Sequence, residues 1–185
     1  LSFPGLPSNN PIIELNPSYG LPIWFLYGTN GQNNLLAKGQ ALQLAVIPAY
    51  QPGLEDQDIL DQCLLSMHYG TQEMPQQVKK ENWAGLISEA VFSAEQAPRY
   101  VLLMGLDYCL LLDRYKWPNN RALRFQWSEI FDRKDNATLQ ATAALLHLTS
   151  LAPQEGSCLL EGLDENAHKH AFGVSEDLKH ALREA

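Results

Sequence analysis

Two nearly continuous apolar runs, Arg99-Tyr-Val-Leu-Leu-Met104 and Tyr108-Cys-Leu-Leu-Leu-Asp113, flank Gly105-Leu106-Asp107. Apolar runs joined by three residues containing glycine predict a β-hairpin. With no polar alternation, both faces are expected to be covered, so the hairpin belongs at the centre of a sheet. The β-branched and aromatic run 22–27, the run Ala41–Pro48 and the stretch Arg121–Trp127 predict three more strands. Steps of three and four place Ile59, Leu60, Cys63, Leu64 and Met67 on one helical face, with Asp56 or Asp58 as cap and Gly70 as stop. A second such face holds Val78, Trp83, Leu86, Ile87, Ala90 and Val91, between Pro75 and Pro98. Ser128–Phe131 reads as one helical turn and Asn136–Leu148 as an amphipathic helix. The first twenty residues, rich in Pro and Asn, read as extended loop.

The last segment carries a stripe of Leu160, Leu163, Ala167, Ala171, Val174, Leu178 and Ala181 opposite a charged face. It predicts a long C-terminal helix, roughly 40 Å at 1.5 Å per residue. The pattern still runs at Ala185 without a stop signal, so the helix is expected to lead into a missing downstream domain, or to self-associate through its stripe. The predicted class is α/β, with α+β the alternative: a mixed β-sheet with helices on its faces. Residues 1–135 are expected to form the N-terminal domain and 136–185 a helical segment.

A chain of 185 residues buries enough surface to fold without a metal or disulfide staple. Cys63, Cys109 and Cys158 form no CxxC pair and are expected to be reduced, mostly buried thiols of a cytoplasmic protein. No apolar run is long enough for a membrane span, and no export signal is visible at Leu1. A net charge of −8 excludes a uniformly basic nucleic-acid binder.

That charge is unevenly placed. Residues 114–134 hold six basic against two acidic side chains, while the remainder holds seven against nineteen. Arg114, Lys116, Arg121 and Arg124, with Trp117 among them, are DNA-binding candidates, because cations neutralise phosphates and an aromatic can stack on a base. A solvated cationic face on an acidic body is the competing reading. Asp113 and Lys116 are the weak nuclease candidates. A metal-dependent nuclease places its Lys two positions after a carboxylate, and here the spacing is three. No metal ligand set is identified. Glu55, Asp56 and Asp58 fit a helix N-terminus better than a cation site. His168 and His170 point to opposite sides of a helix. Gly28-Thr-Asn-Gly31 is a turn. Asn16-Pro-Ser-Tyr19 departs from the Asn-Pro-Pro-Tyr/Phe methyltransferase motif at Ser18 and has no Gly-rich strand end before it.

Leu112-Asp-Arg-Tyr-Lys-Trp117, Arg121-Ala-Leu-Arg-Phe125, Glu129-Ile-Phe-Asp-Arg133 and the segment Leu163–Ala185 resemble a stretch of type IIG-like restriction–modification adenine-specific DNA methyltransferases and related phage-exclusion methylases. The resemblance covers about the last 75 residues well. It implies an N-terminal region ahead of an S-adenosylmethionine-dependent methyltransferase domain, DNA as the partner of the parent protein, and magnesium where restriction activity accompanies it. It further implies a degenerate PD-(D/E)xK endonuclease-like domain. The function expected is a non-catalytic, DNA-facing or scaffold domain with no cofactor of its own. A protein-interaction module using the long helix, or an active metal-dependent endonuclease, are the alternatives.

Overall fold

The computed structural model describes residues 12–16, 19–22, 25–28, 42–54, 56–65, 73–153, 159–163 and 166. Strands β1 (Ile12–Asn16) and β2 (Tyr19–Pro22) form an antiparallel pair of their own. Strands β3 (Phe25–Gly28), β4 (Leu42–Pro48), β5 (Tyr100–Met104), β6 (Tyr108–Asp113) and β7 (Ala122–Gln126) make a five-stranded sheet in that spatial order. Only β4 and β5 run parallel, pairing Leu44 with Tyr100 through Pro48 with Met104. The other neighbours are antiparallel, so the sheet is mixed as expected.

The central hairpin is covered on both faces, as its lack of alternation requires. One face carries Ala45, Ile47, Val101, Leu103, Leu110 and Leu112, packed against Leu21, Ile59, Val78, Trp83, Leu86, Ile87 and Val91. These last come from β2, a 3₁₀ turn at Ile59–Asp61, and helices α1 (Gln76–Lys80) and α2 (Trp83–Leu86) with the π turn Ile87–Val91 that continues it. The opposite face carries Leu44, Val46, Tyr100, Leu102, Cys109, Leu111 and Phe125. It is covered by α3 (Trp127–Asp132), α4 (Asn136–Leu145), α5 (Leu148–Leu151) and Leu160 of the helical residues 159–163. The architecture is α/β, with helices on both sides of one sheet.

Several expected elements are corrected. The run 22–27 is not one strand. Pro22 ends β2, since it has no N–H to extend a ladder, and β3 belongs to the other sheet. Part of the supposed loop 1–20 forms the β1–β2 hairpin. The helix expected over 55–69 reduces, in its described part, to the turn Ile59–Asp61, which Asp58 caps by accepting from the Leu60 N–H at 3.0 Å. Gln62 stops it. Its side chain donates to the carbonyls of Leu54 and Gln57, and its own carbonyl accepts from Trp83 at 2.9 Å. Cys63 then bridges to Asn82 and is exposed rather than buried, while Cys109 is buried.

The helix after Pro75 buries every residue of its predicted stripe but breaks at Glu81, whose backbone is extended. Asn82 caps the second piece, its side chain accepting from the Gly85 N–H at 2.9 Å. The Asn136 helix ends at Leu145, and His147 opens α5. Glu55, Gly70, Cys158, His168, His170 and the long C-terminal helix beyond residue 166 lie outside the described residues. Among the described residues no helix is long and apolar enough to cross a membrane.

Candidate functional site

The end of β6 and the start of β5 meet at one rim of the sheet. Antiparallel register pairs Tyr100 with Asp113, which brings Arg99 alongside Arg114. The Arg114 N–H donates to the Arg99 carbonyl at 3.0 Å. Arg99 Nε and Nη2 donate to the two carboxylate oxygens of Asp113 at 2.9 and 3.1 Å, and Nη1 donates to Glu161 at 2.9 Å. Burial opposes the Arg99 charge, but the Asp113 hydrogen bond and the fields of Tyr100, Asp113 and Glu161 outweigh it and hold the guanidinium above its ordinary pKa. Asp113 Oδ1 also accepts from the Tyr115 N–H at 2.9 Å. Both oxygens of this nuclease candidate are therefore engaged by the chain itself. Among the described residues no three His, Cys, Asp or Glu side chains gather as a metal site.

The DNA-binding candidates separate. Arg114, Lys116, Trp117 and Arg121 share the connection from β6 to β7, which turns through the 3₁₀ segment Trp117–Asn119 and the left-handed Asn120. Asn tolerates that conformation better than most residues. Arg114 donates to the Ala97 carbonyl and the Tyr115 hydroxyl, each at 3.1 Å. Trp117 is spent inward: its indole N–H donates to Ser88 Oγ at 2.8 Å and its ring leans on Phe92. Arg121 is exposed. Arg124 leaves the group, because the register opposes it to Leu110 and turns it onto the face bearing Tyr108.

Sequence reasoning missed Tyr115. It is 62% exposed and stands between the guanidinium groups of Arg99, 4.3 Å from the ring centroid, and Arg114, 5.1 Å away. That makes it the accessible aromatic among the cations, the role expected of Trp117. A turn confined to Gly105-Leu106-Asp107 would set Met104 opposite Tyr108 and Arg99 opposite Asp113. The observed register is one residue longer, with Met104 opposite Cys109, and this brings Arg99 beside Arg114 and Tyr115.

A second concavity lies at the other end of the strands. A cleft of about 410 Å³ opens beyond the carboxyl ends of β4 and β5, its walls including Gln51, Asp56, Asp107, Tyr108, Arg124 and Gln126. The Arg124 guanidinium lies 3.7 Å from the Tyr108 ring centroid, and its Nε donates to Gln126 Oε1 at 3.0 Å. Gln126 Nε2 donates to Asp107, which also accepts from Ser128 Oγ at 2.7 Å. Hydrogen bonding by Ser128, aided by Gln126 and the Arg124 charge, overrides desolvation and holds the Asp107 carboxyl below its ordinary pKa. Tyr108 is pushed up by burial, although its hydroxyl oxygen accepts from the Ile59 N–H at 2.7 Å. Gln51 Oε1 is buried without a hydrogen-bond partner among the described residues. A buried acceptor left in that state costs about 1–3 kcal/mol.

Comparison of the chain with protein-family models, curated proteins and solved structures gives no match.

Proposed function

We propose that this chain is a non-catalytic scaffold and DNA-facing domain of a DNA restriction–modification methyltransferase. The observation that carries the reading is the Arg99 clamp. It neutralises Asp113, the carboxylate a nuclease would need, and extends to Glu161, so the sheet rim is tied to the helical segment that follows. A domain whose rim is stitched to its C-terminal segment suits holding a neighbouring unit in place. Beside the clamp, the connection 114–121 offers Arg121, Lys116 and the Tyr115 ring to a nucleic-acid backbone. In this reading S-adenosylmethionine belongs to a downstream methyltransferase domain. A magnesium ion does not fit here, because Asp113 is already engaged by Arg99.

The test is duplex DNA binding across a salt series, with Lys116→Ala, Arg121→Ala beside the parent chain. Each phosphate contact contributes about 0.9 to the log–log slope, so the double variant is expected to lose about 1.8. Equal slopes, or no binding at low salt, would remove the DNA-facing part of the proposal. One observation favours a second reading, an interaction module. Leu159 and Leu163 are 42% and 49% exposed, in the same helical residues 159–163 whose Leu160 packs on the sheet. If DNA binding is absent and Leu159→Ser, Leu163→Ser abolishes self-association seen by light scattering, that reading replaces the first.

A further inference from the structure

We propose that the cleft beyond β4 and β5 binds a small zwitterion of amino-acid or dipeptide size, with its carboxylate on Arg124 and its ammonium against Asp56. The site is separate from the rim at Arg99 and does not depend on the DNA reading.

Position is the first support. β4 and β5 are the sheet's one parallel pair, and ligands of open α/β sheets settle outside the carboxyl ends of such strands. There the chain leaves β4 through Ala49 and Tyr50 and turns back from β5 at Gly105, which opens the cleft between the two departures.

Arg124 supplies the second. Its plane is set by stacking on Tyr108 and its Nε is occupied by Gln126. The two terminal nitrogens have no partner among the described residues, which leaves a fixed planar fork of the geometry a carboxylate accepts in bidentate fashion. The Tyr108 hydroxyl accepts from Ile59 and keeps its own proton to donate. On the acceptor side stands the exposed carboxylate of Asp56.

Charge balance then selects the ligand class. Among the described residues Arg124 is the one cation lining the cleft, against Asp56 and Asp107, and Asp58 and Asp61 add negative potential at the Tyr108 hydroxyl. A phosphate dianion would bring two negative charges into a net negative site. A simple cation would leave the Arg124 fork facing it. A zwitterion satisfies the fork and the Asp56 carboxylate together without adding net charge. The polar walls, which include Gln51, Gln57 and Gln126, also disfavour an apolar ligand.

The experiment is ¹H–¹⁵N NMR titration of the full chain with glycylglycine and L-glutamine. N-acetylglycine (ammonium blocked), glycinamide (carboxylate blocked) and inorganic phosphate serve as comparison probes. The amides of Gln51, Gly105 and Tyr108 are expected to move saturably with at least one zwitterion. The two blocked compounds are expected to bind at least tenfold more weakly, and phosphate not at all. Arg124→Gln should weaken the zwitterion at least tenfold while the rest of the spectrum is retained. Should that variant not fold, Asp56→Asn provides the independent reading. Neutralising that exposed carboxylate should leave the melting temperature unchanged and weaken the zwitterion at least threefold, a combination that a merely structural residue would not give. The proposal is overturned if neither zwitterion saturates, if blocked compounds or phosphate bind equally well, or if a folded Arg124→Gln or Asp56→Asn chain keeps full affinity.

Discussion

Arg99, one residue ahead of β5, holds both carboxylate oxygens of Asp113 at the end of β6, 2.9 and 3.1 Å away. The two side chains are 22% and 14% exposed, so the pair is shielded from solvent more than a surface salt bridge. Removing one partner leaves the other charge partly desolvated, with Glu161 and the Tyr115 N–H also losing their arrangement. Asp113→Ala is therefore expected to lower stability by about 1–3 kcal/mol, read from the urea midpoint at constant m-value. The same variant tests the endonuclease alternative. Neither it nor the parent chain should nick plasmid with magnesium or manganese, and metal-dependent cleavage lost in Asp113→Ala would restore Asp113 as a catalytic residue.

Gly105 is held between two strands. A Cβ built on it would lie 2.8 Å from the Tyr108 carbonyl oxygen and 3.1 Å from Ile59 Cδ1. The same Tyr108 carbonyl accepts the Gly105 N–H at 3.0 Å, so the clash cannot be relieved without opening the hairpin. Gly105→Ala is expected to cost about 1–3 kcal/mol, the usual range for overpacking, measured in the same urea series. An unchanged midpoint would mean that the β5–β6 turn has room that these distances exclude.

The hairpin was legible because residues 99–113 settle their own pairing locally, although its register is one residue longer than a turn confined to Gly105-Leu106-Asp107 gives, since the Gly105 N–H closes on the Tyr108 carbonyl. The second helical stripe was legible too, since burial of Trp83, Leu86 and Ile87 follows from spacing alone. The helix over 55–69 was not. Its apolar spacing is sound, but Gln62 finds carbonyls at Leu54 and Gln57 and a donor at Trp83 that periodicity cannot see. The cationic stretch was visible as composition, whereas its division was not: a period of two sends Arg124 to the Tyr108 face, and Trp117 turns to Ser88. The cleft had no sequence signature, because its walls come from two segments, 49–62 and 105–126, that are distant in the chain.

Thiol reactivity distinguishes the two described cysteines. Burial pushes the Cys109 thiol up to about 12, so at neutral pH it carries almost no thiolate and is screened by the sheet and its covering helices. Cys63 is exposed. In a Cys158→Ser background, a disulfide reagent such as DTNB is expected to modify one thiol in the native chain and a second only after denaturant is added. Peptide mapping should assign the first to Cys63. Fast native modification of Cys109 would show that this face of the sheet opens readily.

Acid should weaken the fold through two caps. Asp107 accepts from Ser128 and Gln126, and Asp135 accepts from the Thr138 hydroxyl and the N–H groups of Thr138 and Ala137 at the start of α4. These hydrogen bonds favour the ionised form and lower both pKa values in the folded chain. A carboxylate whose folded pKa lies below its unfolded value contributes stability that is complete above the unfolded pKa. That contribution fades as pH falls through the folded pKa, because the unfolded chain takes up the proton first. With unfolded aspartate near ~3.9, the loss should begin below about pH 5 and deepen toward pH 3. Asp107→Asn, Asp135→Asn removes both titrations. Its unfolding free energy is expected to be lower than the parent's at pH 7 and to depend less steeply on pH between about 5 and 3. Parallel pH profiles for the two chains would show that these carboxylates are not what acid attacks.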